Sequence, residues 1–329
     1  MKALVTGATG FIGSNVVRAL LERGYEVRAL TREASNRSNL AGLDVELAIG
    51  DVRERASLER ALEGCDCLFH LAAAYALWTP DPQPIYDINV DGTVNALAAA
   101  RAVGVRKVVY TSSESTIGIV RNGSLGTEEM FVEPGALAGH YKRSKYLAEQ
   151  VALRASGEGL DVVVVNPTTP IGRGDIRPTP TGQIVVDFLN GRMPAYVNTG
   201  LNLVDVEDVA AGHVLALEKG RPGERYILGH ENLTLKEILE ALSRVTGLPA
   251  PRLRMPLWVA LGAAHVSEFA ARRVTGGSPR IPVTGVQVAR HFRYFDCSKA
   301  VRELGLPQTP IEEALDKAVR WFREHGYAP

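Results

Sequence analysis

Residues 161–166 contain four consecutive valines, Val162, Val163, Val164 and Val165, a run too short for a helix and with no polar face to offer water. Such a run reads as a strand buried on both sides. Similar short apolar runs occupy 2–6, 26–30, 45–49, 67–71 and 107–111. Between them lie segments of helical periodicity at 11–23, 56–63, 84–102 and 141–154. Strands that alternate with helices specify a doubly wound α/β domain, a parallel Rossmann sheet covered on both faces.

The pattern changes after Asn166. Pro167, Pro170, Pro178, Pro180 and Pro194 are interspersed with Gly172, Gly174, Gly182 and Gly191, which is loop composition. A strand-then-helix signal returns at 203–217, a strand at 225–228, and mostly helical sequence from 234 onward, ending in 311–325. The expected organisation is a nucleotide-binding domain over 1–170 plus about 201–229. A smaller, mostly helical lobe would be built from about 171–200 and 230–329 to take the substrate.

The charges balance, with 37 Lys plus Arg against 37 Asp plus Glu in 329 residues. A nucleic-acid binder normally carries a basic excess, so none is expected as a partner, and a polybasic membrane-surface protein is disfavoured too. Cys65, Cys67 and Cys297 are an odd number for a disulfide framework and have no zinc-site spacing around them, so reduced thiols and no metal are expected. No apolar stretch reaches the 18 residues of a membrane span and no secretory signal opens the chain, which reads as cytoplasmic, without stable membrane insertion.

Between the first strand and first helix stands Thr6-Gly7-Ala8-Thr9-Gly10-Phe11-Ile12-Gly13. Gly7 suits a tight turn, Gly10 close approach of a pyrophosphate, and Gly13 close packing of helix on strand. The helix N-terminus then aims free N–H groups at the phosphates. At the end of the second strand, an NAD-binding domain places an acid for the ribose 2′-OH. Thr31 stands there, 18 residues after Gly13, followed by Arg32, with Ser35 and Arg37 close behind. Arginines suit a 2′-phosphate, so NADP is favoured, with NAD and a merely solvated Arg32 as the other reading.

Tyr141 and Lys145 are four apart on a predicted helix, hence on one face. A tyrosine is too weak an acid near neutrality to shuttle protons, and an adjacent ammonium with a cationic nicotinamide stabilises its phenolate. The strand at 107–111 runs into Ser112-Ser113-Glu114-Ser115 at the carboxyl edge of the sheet, where open α/β sheets bind ligands.

Together these pieces resemble the extended short-chain dehydrogenase/reductases, the NAD-dependent epimerase/dehydratase family with its dihydroflavonol-reductase-like branch. Gly50 to Arg53, His70 to Ala73, Asn89 to Thr93, Asn166 to Thr168 and Ser298 to Ala300 also match, in the family's order along nearly the whole chain. The resemblance implies Tyr141 as general acid/base, Lys145 on the nicotinamide ribose, and Ser113 on the substrate oxygen, with Ser112 and Ser115 as neighbouring candidates. Asn89 would support the lysine through its backbone and a water. Asp51 and Val52 would contact adenine, Leu71, Ala72 and Ala73 would let the cofactor pass, and Thr111, Pro167 and Thr168 would lie near the nicotinamide. Thr9, Phe11 and Ile12 would line the phosphate loop. Glu114 departs from the small or apolar residue usual after the serine, and with Ser115, Asn166 and Arg192 is a candidate substrate contact.

Segments such as Asn166 to Gly172 and Gly191 to Val197 further resemble hopanoid-associated sugar epimerases. An epimerase or dehydratase retains NAD, whereas a reductase exchanges NADP. The expected activity is therefore NADPH-dependent, dihydroflavonol-reductase-like carbonyl reduction, with a nucleotide-sugar epimerase/dehydratase as alternative. A non-catalytic NADP sensor is a further class, disfavoured by the retained Tyr141 and Lys145. Arg173, Arg177 and Arg192 are candidates for substrate phosphates or plain surface charges. The stripe Leu257, Trp258, Leu261, Val266 and Phe269 within 255–273 is expected to pack in a core, with a lid or membrane contact as the alternative. The resemblance also implies a homodimer through helices at 84–102 and 139–155.

Overall fold

The structure is a computed structural model that describes all residues except 77, 119–123, 134, 136, 138, 272–278, 280 and 281. In chain order its first part comprises β1 (Lys2–Thr6), α1 (Phe11–Glu22), β2 (Glu26–Thr31), β3 (Glu46–Ile49), α2 (Arg55–Leu62), β4 (Cys67–His70), α3 (Gln83–Tyr86) and α4 (Gly92–Val103). There follow β5 (Lys107–Thr111), α5 (His140–Gly157), β6 (Val162–Pro167), β7 (Thr169–Ile171), α6 (Pro180–Leu189), β8 (Ala195–Val197), β9 (Gly200–Asp205) and α7 (Val206–Lys219). The chain ends with β10 (Arg225–Leu228), β11 (Glu231–Thr234), α8 (Leu235–Thr246), β12 (Leu253–Met255), α9 (Leu257–Ala270), α10 (Val283–Val288), α11 (Ser298–Leu304) and α12 (Ile311–Glu324).

Seven strands form one sheet in the order β10-β6-β5-β4-β1-β2-β3, every neighbouring pair parallel. The two faces of the valine run divide as strand periodicity requires. Val163 and Val165 join Ala3, Val5 and Val109 under α1 and α7, while Val162 and Val164 join Leu4, Leu68 and Val108 under α2, α4 and α5. Strand order reverses between β1 and β4, so the β1–α1 and β4 ends open a crevice at the carboxyl edge.

A second core forms where α6, α8 and α12 meet the small sheet β11-β9-β7, around Val185, Phe188, Leu239, Leu242, Leu315 and Phe322. Thr234 and Glu237 cap α8 reciprocally, which sets its start next to β11. Helix α11 returns to the main sheet and adds Ala300 and Leu304 to the core under α7.

Two local features differ from the sequence expectation. The helix expected over 84–102 is interrupted by a π turn at Asp87–Asp91. The Thr93 hydroxyl donates to the Asn89 carbonyl at 2.7 Å within it, and the wider turn leaves the Asn89 side chain free for tertiary contacts. In α9 only part of the expected core stripe is covered. Leu257 and Leu261 pack with Ala260, Ala264 and Val286, but Trp258, Val266 and Phe269 are 75%, 70% and 65% exposed. Residues 272 and 273 of that stripe lie outside the described residues.

Candidate active site

Helix α1 begins directly on Gly10, with no side-chain cap and no acid in its first turn, so its positive end is left for an outside anion. Gly7 sits at φ 69°, in the left-handed region, and a Cβ on Gly13 would fall 2.1 Å from the Gly7 carbonyl oxygen. Asn39 donates to the carbonyls of Thr9 and Gly174 at 3.3 and 2.9 Å, tying the loop to the segment after β7. Phe11 and Ile12 are half-buried beside it. An uncapped helix end behind a glycine turn fits a dinucleotide pyrophosphate.

At the end of β2 Thr31 is buried, and its hydroxyl has no hydrogen-bond partner. Arg32 is exposed, and Arg37 donates to the carbonyls of Arg32 and Glu33 at 3.4 and 3.5 Å while its Nε is buried without a partner. Asp51 is held by Arg53 at 2.7 Å, and this hydrogen bond lowers its carboxyl below the usual range. Val52 lies against Gly92 of α4. The N–H groups of Leu71 and Ala72 both donate to the Thr6 hydroxyl at 3.1 Å, and Ala73 beyond them is exposed. These groups stand at the carboxyl ends of β1, β2, β3 and β4, the edge of the sheet at which an adenine nucleotide would be held.

The end of β5 and the start of α5 bring Tyr141 close enough to Ser113 for the serine side chain to act on its phenol. Burial raises the Tyr141 pKa, the neighbouring Tyr75 adds to the rise, and Ser113 opposes it. The Tyr75 ring meets Tyr141 edge-on with centroids 4.5 Å apart. Lys145, one turn along α5, donates to the Thr111 carbonyl at 2.7 Å and the Tyr110 hydroxyl at 3.2 Å. Burial thus dominates the phenol by itself, whereas the expected lowering counts Lys145 and a cationic nicotinamide together.

The side chain of Asn89 is buried and makes three hydrogen bonds. It donates to the Ala74 carbonyl at 3.0 Å and to Ser144 Oγ at 2.8 Å, and accepts from Ala74 N–H at 2.7 Å. It thus pins the loop that carries Tyr75 to the turn of α5 beside Lys145.

Burial pulls the Lys145 pKa down to about 8 from its ordinary 10.5, a cost of roughly 3 kcal/mol at neutral pH. Between about 8 and 10.5 the unfolded chain holds the extra proton, so stability rises with pH there, and below about 8 the full cost is present. Lys145→Met is expected to raise stability by about 1–3 kcal/mol in chemical denaturation at pH 7 while abolishing turnover. A less stable Met variant would contradict this account of the lysine.

Three charged residues escaped the sequence reading. Glu149 is wholly buried, accepts from Thr116 Oγ1 and Asn166 Nδ2 at 2.7 Å each, and pairs with Arg225 at 2.8 Å. Asn166 in turn donates to the Ser113 carbonyl at 3.2 Å, so it acts on the serine's backbone from beneath. Glu149 lies four residues after Lys145, and the spacing Tyr141, Lys145, Glu149 would have marked one helix face. Arg225 is on β10 and Arg293 follows α10, and nothing local in the sequence marks either.

Arg293 pairs with Glu114, both nearly buried, and Glu114 Oε2 and Arg293 Nε have no partner. Burial lowers the Arg293 pKa to about 10. Ser113 Oγ accepts from the Ser115 N–H and hydroxyl at 3.1 and 3.0 Å, while the Ser112 hydroxyl is buried without a partner. The Thr111 hydroxyl meets His213 at 2.9 Å, and buried Thr168, next to buried Pro167, donates its N–H to the Leu228 carbonyl at 3.0 Å. Arg173 pairs with Glu207 at 2.8 Å, whereas Arg177 and Arg192 are exposed, and Arg192 makes no polar contact with the cluster among the described residues. A cavity of about 320 Å³ lies beside the start of α5, lined by Ala76, Trp78, His140, Glu268, Val283 and Gln287. The three cysteines are free, and no metal-ligating cluster occurs among the described residues.

Residues 3–229 match the model of the NAD dependent epimerase/dehydratase family. The chain belongs to that family. It is an extended short-chain dehydrogenase/reductase, an NAD(P)-dependent enzyme type, and the family's seven-stranded parallel sheet with a helical C-terminal region is the fold seen here. It is 51% identical over 98% of its length to a Synechocystis sp. protein named "Putative dihydroflavonol 4-reductase", covering 95% of that protein. It is 41% identical to sterol demethylase protein B of Methylococcus capsulatus, over 99% of both chains. The crystal structure of gox2253 superposes with a TM-score of 0.88 at 44% identity, over 99% of each chain.

Proposed function

We propose that this enzyme is an NADPH-dependent, dihydroflavonol-reductase-like carbonyl reductase acting on a largely apolar small molecule. The observation that carries the proposal is the juxtaposition of Tyr141 with Ser113 at the end of β5, with Lys145 one turn along the same face of α5. NADPH, when bound, supplies a hydride to the carbonyl carbon. Ser113 donates a hydrogen bond to the carbonyl oxygen, and Tyr141 passes its phenolic proton to that oxygen as it becomes a hydroxyl. Lys145 contributes the positive charge that a phenolate requires. The uncapped end of α1 and the Gly7–Gly13 loop hold the pyrophosphate, and the region around α6, α8, α9 and α10 receives the substrate. The names of the Synechocystis and Methylococcus relatives support a polycyclic, apolar substrate. The exposed Val94 and Leu147 on α4 and α5 support a homodimer built on those helices.

The absence of an acid at Thr31 supports exchangeable NADP over retained NAD. NADPH is expected to bind about tenfold or more tightly than NADH, and Thr31→Asp with Arg32→Ala to reverse that order. Equal affinities in the parent, measured by nicotinamide fluorescence titration, would remove the role given to Arg32. The function itself is tested by incubating the enzyme with NADPH and a panel of aromatic and terpenoid ketones, following NADPH absorbance. Consumption with formation of the alcohol is the expected result. Purification with tightly held NAD and interconversion of nucleotide-sugar epimers without net NADPH use would establish the epimerase alternative instead.

A further inference from the structure

Helix α9 presents an apolar face to solvent that the proposed reaction does not use. Trp258, Gly262, Val266 and Phe269 recur at the three- and four-residue spacing of a single helix face, and all are exposed. Leu253, on the adjoining strand β12, is 69% exposed as well. Trp258, Val266 and Phe269 are among the most exposed large hydrophobics of the chain, and single exposed apolar side chains are ordinary where a contiguous row is not. On the inner side only Ala260 and Ala264 are buried, against Val286 of α10, so the helix turns its larger side chains outward.

The charges around this face decide what it fits. Arg252 and Arg254 stand on either side of Leu253 in the stretch that leads into α9, both exposed, and neither makes an ion pair among the described residues. The one acid on the helix, Glu268, accepts from the Val283 N–H at 2.8 Å and belongs to the α9–α10 contact. The face of α9 is therefore apolar, and the segment that enters it carries two exposed, unpaired arginines. A second copy seated on it would bring the same arginines and no acid to meet them. An anionic lipid surface meets both requirements, with acyl chains for Trp258 and Phe269 and phosphates for the arginines.

We propose that α9 lies in the interface of a lipid bilayer with anionic headgroups, docking the enzyme peripherally by its Trp258–Phe269 face. No helix among the described residues is long and apolar enough to cross a membrane, so the contact is with one leaflet. The same helix, through Glu268, and α10, through Val283 and Gln287, wall the cavity beside the start of α5. That cavity joins α9 and α10 to Gly139 and His140, the residues directly before Tyr141.

The test is cosedimentation of the full-length enzyme with vesicles of phosphatidylcholine alone or mixed with phosphatidylglycerol. Binding to the mixed vesicles is expected, weakening with salt. It should fall about tenfold or more in Trp258→Ser/Phe269→Ser. The exposed Arg252→Ser/Arg254→Ser pair should lower it by about fivefold per arginine. NADPH titration of each variant verifies its fold, and the wild-type partition decides the matter if the apolar variant fails to fold. Wild-type enzyme that stays in the supernatant with both vesicle types would overturn the proposal. So would a Trp258-dependent dimer in sedimentation equilibrium, which would assign the face to a second copy. Neither outcome touches carbonyl reduction, which is measured without vesicles.

Discussion

Tyr141→Phe is expected to lower kcat by about 10²–10⁴-fold, the usual contribution of a positioned general acid, while NADPH affinity stays within about twofold. The phenol stands beside Ser113 and is packed edge-on by Tyr75, so loss of the hydroxyl removes the proton donor and leaves the ring in place. Steady-state kinetics with a ketone from the panel, together with cofactor titration, separate the two effects. A Phe variant with parental kcat would remove Tyr141 from the chemistry and with it the reductase mechanism. Because burial raises the free enzyme's phenol, Tyr141 is protonated at neutral pH and available as an acid in the direction of reduction.

Arg225→Ala is expected to cost about 3–5 kcal/mol of stability, measured by chemical denaturation, because it leaves the wholly buried Glu149 carboxylate without its cation. The guanidinium also donates to the carbonyls of Glu128 and Met130 and stacks 4.0 Å from the Phe131 ring centroid, so the segment leading toward α5 loosens with it. The effect should reach catalysis through Glu149, Asn166 and the Ser113 carbonyl. Glu149→Gln with Arg225→Met, which removes both charges together, should recover most of the stability. A single Arg225→Ala variant as stable as the parent would show that the pair is not what holds these strands and α5 together.

Elements whose signal is local are legible in the chain's own residues. The valine run needs burial on both faces, and it lies in the sheet interior with every valine fully buried. The glycine spacing at Gly7, Gly10 and Gly13 is read from backbone sterics alone, and the bend between β1 and α1 follows it. The Tyr141–Lys145 spacing needs only helix geometry. Features that depend on distant partners are not legible in this way. The π turn at Asp87–Asp91 has no local signature, since Asn89 is drawn to Ala74 and Ser144. The partners that anchor the Lys145 ammonium, the Tyr110 hydroxyl and the Thr111 carbonyl, come from β5 and are likewise not local to α5.

Glu114 shows the same division. In the sequence it is a carboxylate next to the serine, free to read substrate or to point away; in the fold Arg293, 179 positions later, claims it. Likewise α9 carries an apolar stripe that suits a core, but the fold supplies only the narrow contact with α10 and leaves Trp258 and Phe269 in water. The sequence by itself determined the sheet, the phosphate loop and the face on which Tyr141 and Lys145 stand, because steric and periodic constraints act between near neighbours. Only the tertiary structure decided which buried charges pair and which apolar face remains open, because burial and ion pairing depend on segments that meet after the chain has closed on itself.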